Sequence, residues 1–237
     1  MGRARAAVGR EKGGGGGEGG PWGEGGRGRG ETSARFSVLF LNACSLKHNI
    51  WELQEYIEAS ETRPTIICVN ETFNNNSVSN AQIAIQGYEL IARRDGKDTV
   101  GGRCRGLVIY SEEGLGAVQT KHRGEEEVVE VATVEVSWGG GRKLTICQVY
   151  RKQNYVPNTL KLLEYLSRLP DQTVTVGDFN FLTISWDEGR GGSEEERKFL
   201  QLLEERGWEQ RVRGVARPQG GQHPGPGNRA GRNTGGV

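Results

Sequence analysis

The chain has 237 residues, with 31 Lys or Arg against 30 Asp or Glu, 34% apolar residues, 38 glycines and four cysteines. No run of ~20 apolar residues is present, which excludes a membrane-spanning helix. Cys44, Cys68, Cys104 and Cys147 are far apart without a Cys-x-x-Cys pair, and no signal-like segment opens the sequence, so a reduced intracellular protein with mostly buried thiols is expected.

Charge is unevenly spread. Residues 1–30 hold six Arg or Lys and three Glu, and residues 211–237 hold five Arg and no acid, which leaves 20 basic and 27 acidic residues, a net of −7, in residues 31–210. An acidic middle is not the usual footprint of a DNA-binding protein, so a duplex would have to meet a local basic patch. The first 30 residues contain the glycine run Gly13 to Gly17 and little apolar besides Trp22. Such a segment cannot offset its chain entropy by burial. It reads either as a solvated extension or as an Arg-Gly nucleic-acid tether. Residues 1–34 and 214–237 are therefore expected to be unstructured, and residues 35–213 to form one domain. About 180 residues suffice for one core.

Within the domain, Phe36-Ser-Val-Leu-Phe-Leu41 reads as a buried strand that ends at Asn42. Ile50, Trp51, Leu53 and Ile57 mark an amphipathic helix stopped by Pro64, and Thr65-Ile-Ile-Cys-Val69 is a second buried strand that runs into Asn70-Glu71-Thr72. Arg93, Arg94, Lys97, Arg103 and Arg105 surround Gly101-Gly102 ahead of the strand Gly106 to Tyr110. This is the best candidate for a basic patch, and it reads equally as a solvated loop. Val128 to Trp138 and Lys143 to Val149 alternate as two strands about a triple-glycine turn. Leu160, Leu163, Leu166 and Leu169 repeat at helical spacing. Phe199, Leu200, Leu202 and Leu203 lie in a helix entered through the Ser193/Glu196 capping box. These leucines and aromatics are expected in the core.

The most informative run is Val174-Thr-Val-Gly-Asp-Phe-Asn180. A β-branched strand meets a glycine and at once presents Asp178 and Asn180 at its carboxyl end, where ligands of open α/β sheets bind. An Asx turn after a strand would give the same residues. Three apolar strands, ending in Asn42, Glu71 and Asp178 with Asn180, would share one rim if they share a sheet. Hard divalent cations favour such oxygen donors.

At these residues the chain resembles the endonuclease/exonuclease/phosphatase superfamily, whose members carry a strand-end Asn, a strand-end Glu and Gly-Asp-x-Asn in this order. The surroundings are similar to the apurinic-type endonuclease of non-LTR retrotransposons: Leu41-Asn-Ala-Cys-Ser-Leu-Lys47, Val69-Asn-Glu-Thr-Phe73, Gly87-Tyr88 before Arg93-Arg94-Asp95, Val149-Tyr-Arg151, and Gly177-Asp-Phe-Asn-Phe181 before Ile184-Ser-Trp186. The resemblance covers roughly Phe36 to Val212. It implies a four-layer α/β sandwich of two packed mixed sheets flanked by helices. It also implies Mg²⁺, with Mn²⁺ as the alternative ion, held by Glu71 and supported by Asn42. Asp178 would activate the attacking water, Asn180 would steady the phosphate, and Tyr150 would donate to a phosphate oxygen. DNA would be the substrate, with no membrane and no obligate protein partner, and a nuclear location would follow.

Two departures qualify the resemblance. Cys44 stands where some relatives carry an acid. The family also continues into a Leu-Asp strand and a Ser-Asp-His motif that this sequence lacks, since His48, His122 and His223 do not follow Ser-Asp. Codons for Gln222 to Arg229 can be chosen that, read one nucleotide later, give Asn-Ile-Leu-Asp-Leu-Val-Ile, so the expectation is a frameshifted tail from about Gly221. Genomic codons unable to yield Leu-Asp in that frame would contradict it. Loss of the last strands would leave an exposed sheet edge, a marginal fold and weak activity. A sphingomyelinase-like or inositol-phosphatase-like phosphoesterase, and a non-catalytic nucleic-acid-binding remnant with Arg-Gly arms, are the alternative functions.

Overall fold

The computed structural model describes Ala7–Gly9 and residues 36–96, 98–99, 102–103, 105–128, 130–138, 141–152 and 156–210. Two mixed sheets pack face to face with helices outside each, as the resemblance implies.

The smaller sheet is built from β2 (Val38–Asn42), β3 (Ile66–Asn70), β4 (Tyr88–Arg94) and β7 (Leu107–Glu112), in the order β2-β3-β7-β4. β2 and β3 run parallel, Asn42 opposite Asn70, and the other pairs are antiparallel. The parallel pair is joined through α1 (Leu46–Ala59), which crosses one face. β3 is buried along its whole length because both faces are covered: Ile67 and Val69 meet α1, whereas Ile66 and Cys68 face the other sheet. Trp51, predicted within the buried stripe of α1, is 54% exposed, so that stripe consists of Leu46, Leu53 and Ile57.

The larger sheet has the order β12-β1-β11-β10-β9-β8. Its centre is β9 (Val131–Trp138), β10 (Arg142–Tyr150) and β11 (Thr173–Asp178), with β8 (Val118–Thr120) at one edge. α2 (Val156–Ser167) carries the chain from β10 to parallel β11, and α3 (Glu194–Arg206) packs beside it. Leu162, Leu163, Tyr165, Leu166, Phe199, Leu202 and Leu203 form the core under these helices. Leu160 lies on the outer face of α2 and is 43% exposed, against the sequence expectation. The Ser193 capping box forms as predicted, and the carboxylate of Glu196 also receives Thr183 and Gly192, tying the loop after β11 to α3. A two-strand ribbon of β5 (Asp98–Thr99) and β6 (Gly102–Arg103) lies between β4 and β7 in sequence.

The outer edge of β11 is paired. β1 (Ala7–Gly9), inside a segment expected to be unstructured, runs antiparallel to Val174–Val176 and in turn pairs with β12 (Glu209–Gln210). Strand pairing of the backbone explains why composition did not reveal this element: any non-proline residue can complete a sheet ladder. The remaining residues of 1–34 and all of 214–237 lie outside the described residues.

Gly177 continues β11 rather than breaking it. A Cβ there would sit 2.0 Å from the Val149 carbonyl oxygen. Only glycine permits this close approach of β10 and β11, and it brings Tyr150 and Asp178 into direct register.

Candidate active site at the joined strand ends

The carboxyl ends of β2, β3, β10 and β11 meet at one rim, where polar side chains bridge the two sheets. Asn42 Nδ2 donates to Asp178 Oδ2 at 3.2 Å. Asn70 Nδ2 donates to the Val149 carbonyl at 2.9 Å, and Gln148 Nε2 donates to Asn70 Oδ1 at 2.8 Å. Asn42, Glu71, Tyr150 and Asp178 are all buried, and Asn180 is half-buried at the same edge. All five residues singled out from the sequence are therefore found at strand ends of this rim or in the turns that follow them.

The backbone around them is strained in a consistent way. Among the described residues, the non-glycine residues with positive φ are Cys44 (49°), Ser45 (98°), Glu71 (55°), Phe73 (50°) and Asn180 (48°). All lie in the turns immediately after β2, β3 and β11. Such conformations persist where surrounding bonds over-determine them. Here Ser45 and Leu46 donate backbone N–H groups to the carbonyls of Glu71 and Thr72, while Thr72 and Phe73 donate to those of Gly106 and Arg105. Gly106 is required at this crossing, since a Cβ would lie 2.6 Å from Thr72 Oγ1 and 2.9 Å from the Arg94 carbonyl.

Asp178 is held by a second contact, from the Asn180 backbone N–H to Oδ1 at 3.1 Å. This is the Asx turn anticipated from the sequence, and it coexists with the bridge to Asn42. The Asn180 side chain donates Nδ2 to the Arg151 carbonyl at 2.8 Å. Arg151 clamps the same turn: Nε donates to the Phe179 carbonyl at 2.6 Å, Nη2 to the Asn180 carbonyl at 3.1 Å, and the guanidinium stacks 4.1 Å over Phe181. Tyr150 is 5% exposed. Burial raises its phenol above the ordinary tyrosine range, so the hydroxyl keeps its proton.

Glu71 has one oxygen on each of two partners. Arg105 Nη1 donates to Oε1 at 2.8 Å, and Cys44 Sγ donates to Oε2 at 3.4 Å. Burial and then the Glu71 hydrogen bond push the Cys44 thiol up, so it is a neutral donor at neutral pH. No group of three or more His, Cys, Asp or Glu side chains suited to a metal exists among the described residues. The donor set nevertheless fits a hard cation that keeps several waters and needs only one or two protein oxygens plus substrate phosphate. The Glu71 carboxylate supplies one donor, and Asn42 Oδ1, buried without a hydrogen-bond partner, is a second.

Sequence reasoning missed two residues. Glu130 is 4% exposed and accepts the backbone N–H groups of Arg105 at 2.5 Å and Gly106 at 2.9 Å. Its signal was an acid set between Val128-Val129 and Val131-Ala132, just ahead of β9. Burial raises its carboxyl above the ordinary value, with the two N–H groups opposing. Arg105 was grouped with a basic loop, yet it reaches the rim. The two other described arginines of that loop are already paired. Arg93 is bound to Asp95, Asn80 and the carbonyls of Asn75 and Val78, and Arg94 to buried Glu125 and the Val128 carbonyl. Lys97 and the Arg103 side chain lie outside the described residues. His48 meets Ser45 Oγ at 2.7 Å and His122 meets Thr120, while His223 lies outside the described residues.

Among solved structures, an AP endonuclease from Leishmania major is similar over 71% of this chain and 66% of its own, with 19% identity and a TM-score of 0.54. A 3′ phosphatase from Neisseria, bound to a product DNA hairpin, is similar over 72% of this chain and 71% of its own, with 14% identity and a TM-score of 0.51. The fold is the same. The chain is a two-sheet α/β sandwich whose fold these proteins share, and at these identities the likeness concerns the fold alone. No protein-family model and no curated protein matches the sequence. Among the described residues no helix is long and apolar enough to cross a membrane.

Proposed function

We propose that the chain is a divalent-cation-dependent phosphodiesterase that nicks DNA, of the kind non-LTR retrotransposons use to open their insertion sites. The observation that carries this reading is the bridge from Asn42 to Asp178 at 3.2 Å, which brings the ends of two sheets together beside Glu71 and Tyr150. A fold shared with nucleic-acid phosphoesterases supports it.

Asp178 is the base. Its carboxylate is oriented on both oxygens, by Asn42 and by the Asn180 N–H, so it meets an attacking water without first losing side-chain freedom. Tyr150 keeps its proton and donates a hydrogen bond to a non-bridging phosphate oxygen, and Asn180, immobilised through Arg151, steadies the same group. Glu71 and Asn42 Oδ1 would hold Mg²⁺, or Mn²⁺ in its place, which would supply positive charge to offset the negative charge that builds as the 3′ oxygen is displaced.

The test is competition between substrates. Supercoiled plasmid and small phosphoesters, including a phosphocholine diester and an inositol phosphate, are offered to the full chain with Mg²⁺. Preferential conversion of plasmid to open circles supports the nuclease reading. Preferential release from a small ester assigns the site to another phosphoesterase class, and salt-sensitive DNA binding without turnover assigns the chain a non-catalytic role.

A further inference from the structure

Arg105 enters the rim from the start of β7 and is fixed more firmly in its backbone than in its side chain. Its N–H is held by Glu130, its carbonyl accepts the Phe73 N–H at 2.7 Å, and the following Gly106 has no room for a side chain. The guanidinium lies 5.7 Å from the ring centroids of both Phe73 and Tyr150, and its side chain is 46% exposed against 11% for the Glu71 side chain it binds. A pair this exposed contributes little to stability. The backbone around it is costly by comparison, with Glu71 and Phe73 both at positive φ and a carboxylate, Glu130, buried beneath.

Given the function proposed above, on which this inference rests, Arg105 and a cation compete for one oxygen. Glu71 Oε1 carries the guanidinium and Oε2 the Cys44 thiol, so an ion drawn to Oε1 meets Arg105 as its electrostatic competitor. The two aromatic faces confine the freed guanidinium at the rim. A substrate phosphate at the rim is then within its reach, and its planar fork can bind that phosphate through two parallel N–H donors. We infer that Arg105 is an exchange residue: it holds Glu71 while no cation is bound, and passes to a substrate phosphate when a divalent cation takes the carboxylate. Cation and DNA therefore bind with positive coupling, each raising the affinity of the other. Buried Asn42 Oδ1, which has no hydrogen-bond partner among the described residues, would be satisfied by the same event.

The experiment compares the full chain with Arg105→Ala and Arg105→Lys, each first checked for a native circular-dichroism spectrum. Mn²⁺ is titrated alone, and a short phosphorothioate duplex is then titrated by fluorescence anisotropy in EDTA and in Mn²⁺. Arg105→Ala is expected to bind Mn²⁺ about two- to five-fold more tightly, because its competitor is gone. It is expected to bind the duplex in Mn²⁺ about tenfold more weakly, with the log-log salt slope reduced by about one. Arg105→Lys, which keeps the charge but not the fork, should fall between. A variant that loses DNA affinity without gaining Mn²⁺ affinity, or that changes neither, overturns the exchange while leaving the nuclease reading intact. A wild-type chain that binds neither Mn²⁺ nor DNA overturns that reading and the exchange together.

Discussion

Asn42 and Asp178 are 136 residues apart in the sequence, yet the amide Nδ2 of the first donates to Oδ2 of the second at 3.2 Å. The contact crosses from the end of one sheet to the end of the other, so the geometry of the proposed base depends on how the two sheets dock. Asn42→Ala should cost about 1 kcal/mol of stability and lower the nicking rate about 10- to 100-fold, because Asp178 then keeps one orienting contact of the two described. Denaturant unfolding and single-turnover nicking separate the two effects.

Gly177 tests whether the close approach of β10 and β11 is needed for folding. With a Cβ 2.0 Å from the Val149 oxygen, Gly177→Ala must push two parallel strands apart or fail to pair them. A loss of about 3 kcal/mol is expected. Gly114→Ala, where a Cβ meets nothing within 4 Å and only the positive φ opposes it, should cost about 1 kcal/mol. Equal losses in urea titrations of the two variants would contradict the strand-approach argument.

Arg151 is the clamp of the turn that carries Asn180. Arg151→Lys keeps a charge near Phe179 and Asn180 but cannot serve both carbonyls and stack on Phe181 in one geometry. Stability should fall by about 2 kcal/mol and nicking by about tenfold or more, with little change in Mn²⁺ affinity, since Arg151 touches neither Glu71 nor Asn42. Calorimetric Mn²⁺ titration beside the activity assay checks the distinction.

Glu130 has a pH signature of its own. Burial raises its carboxyl in the folded chain above its unfolded value, so between those two values the folded state binds more protons than the unfolded state. Its contribution to stability therefore falls as pH rises through that window and is constant outside it. Glu130→Gln, which still offers an oxygen to the N–H groups of Arg105 and Gly106, should remove this component. Melting temperatures of the two proteins, measured from pH 4 upward, should converge toward the acid end and diverge as pH rises. Parallel profiles would contradict the assignment.

Much of this site was legible because of what strands do not tolerate. Apolar runs such as Ile66 to Val69 and Thr173 to Val176 stop at Asn70-Glu71 and Asp178, and the parallel pairings then bring those ends to a common rim. Periodicity gave the alternation of strands and helices, and the two-sheet architecture came from the resemblance carried by the strand-end motifs. Arg105 and Glu130 escaped because their roles arise from a contact between segments 25 residues apart that no periodicity records. Trp51 and Leu160 were misplaced for a simpler reason: hydrophobic spacing marks a stripe but not its edges, and both residues lie beyond the width that the sheets cover. The pairing of Ala7–Gly9 with β11 is made by backbone groups, which every residue carries alike.

The most direct test is nicking of supercoiled plasmid by the full chain in Mg²⁺ and in EDTA, beside a Glu71→Ala/Asp178→Ala double variant shown to be folded. The account predicts conversion to open circles that requires Mg²⁺ and disappears in the double variant. Folded wild-type protein that nicks no faster than the double variant, or nicking that survives loss of both carboxylates, would contradict it.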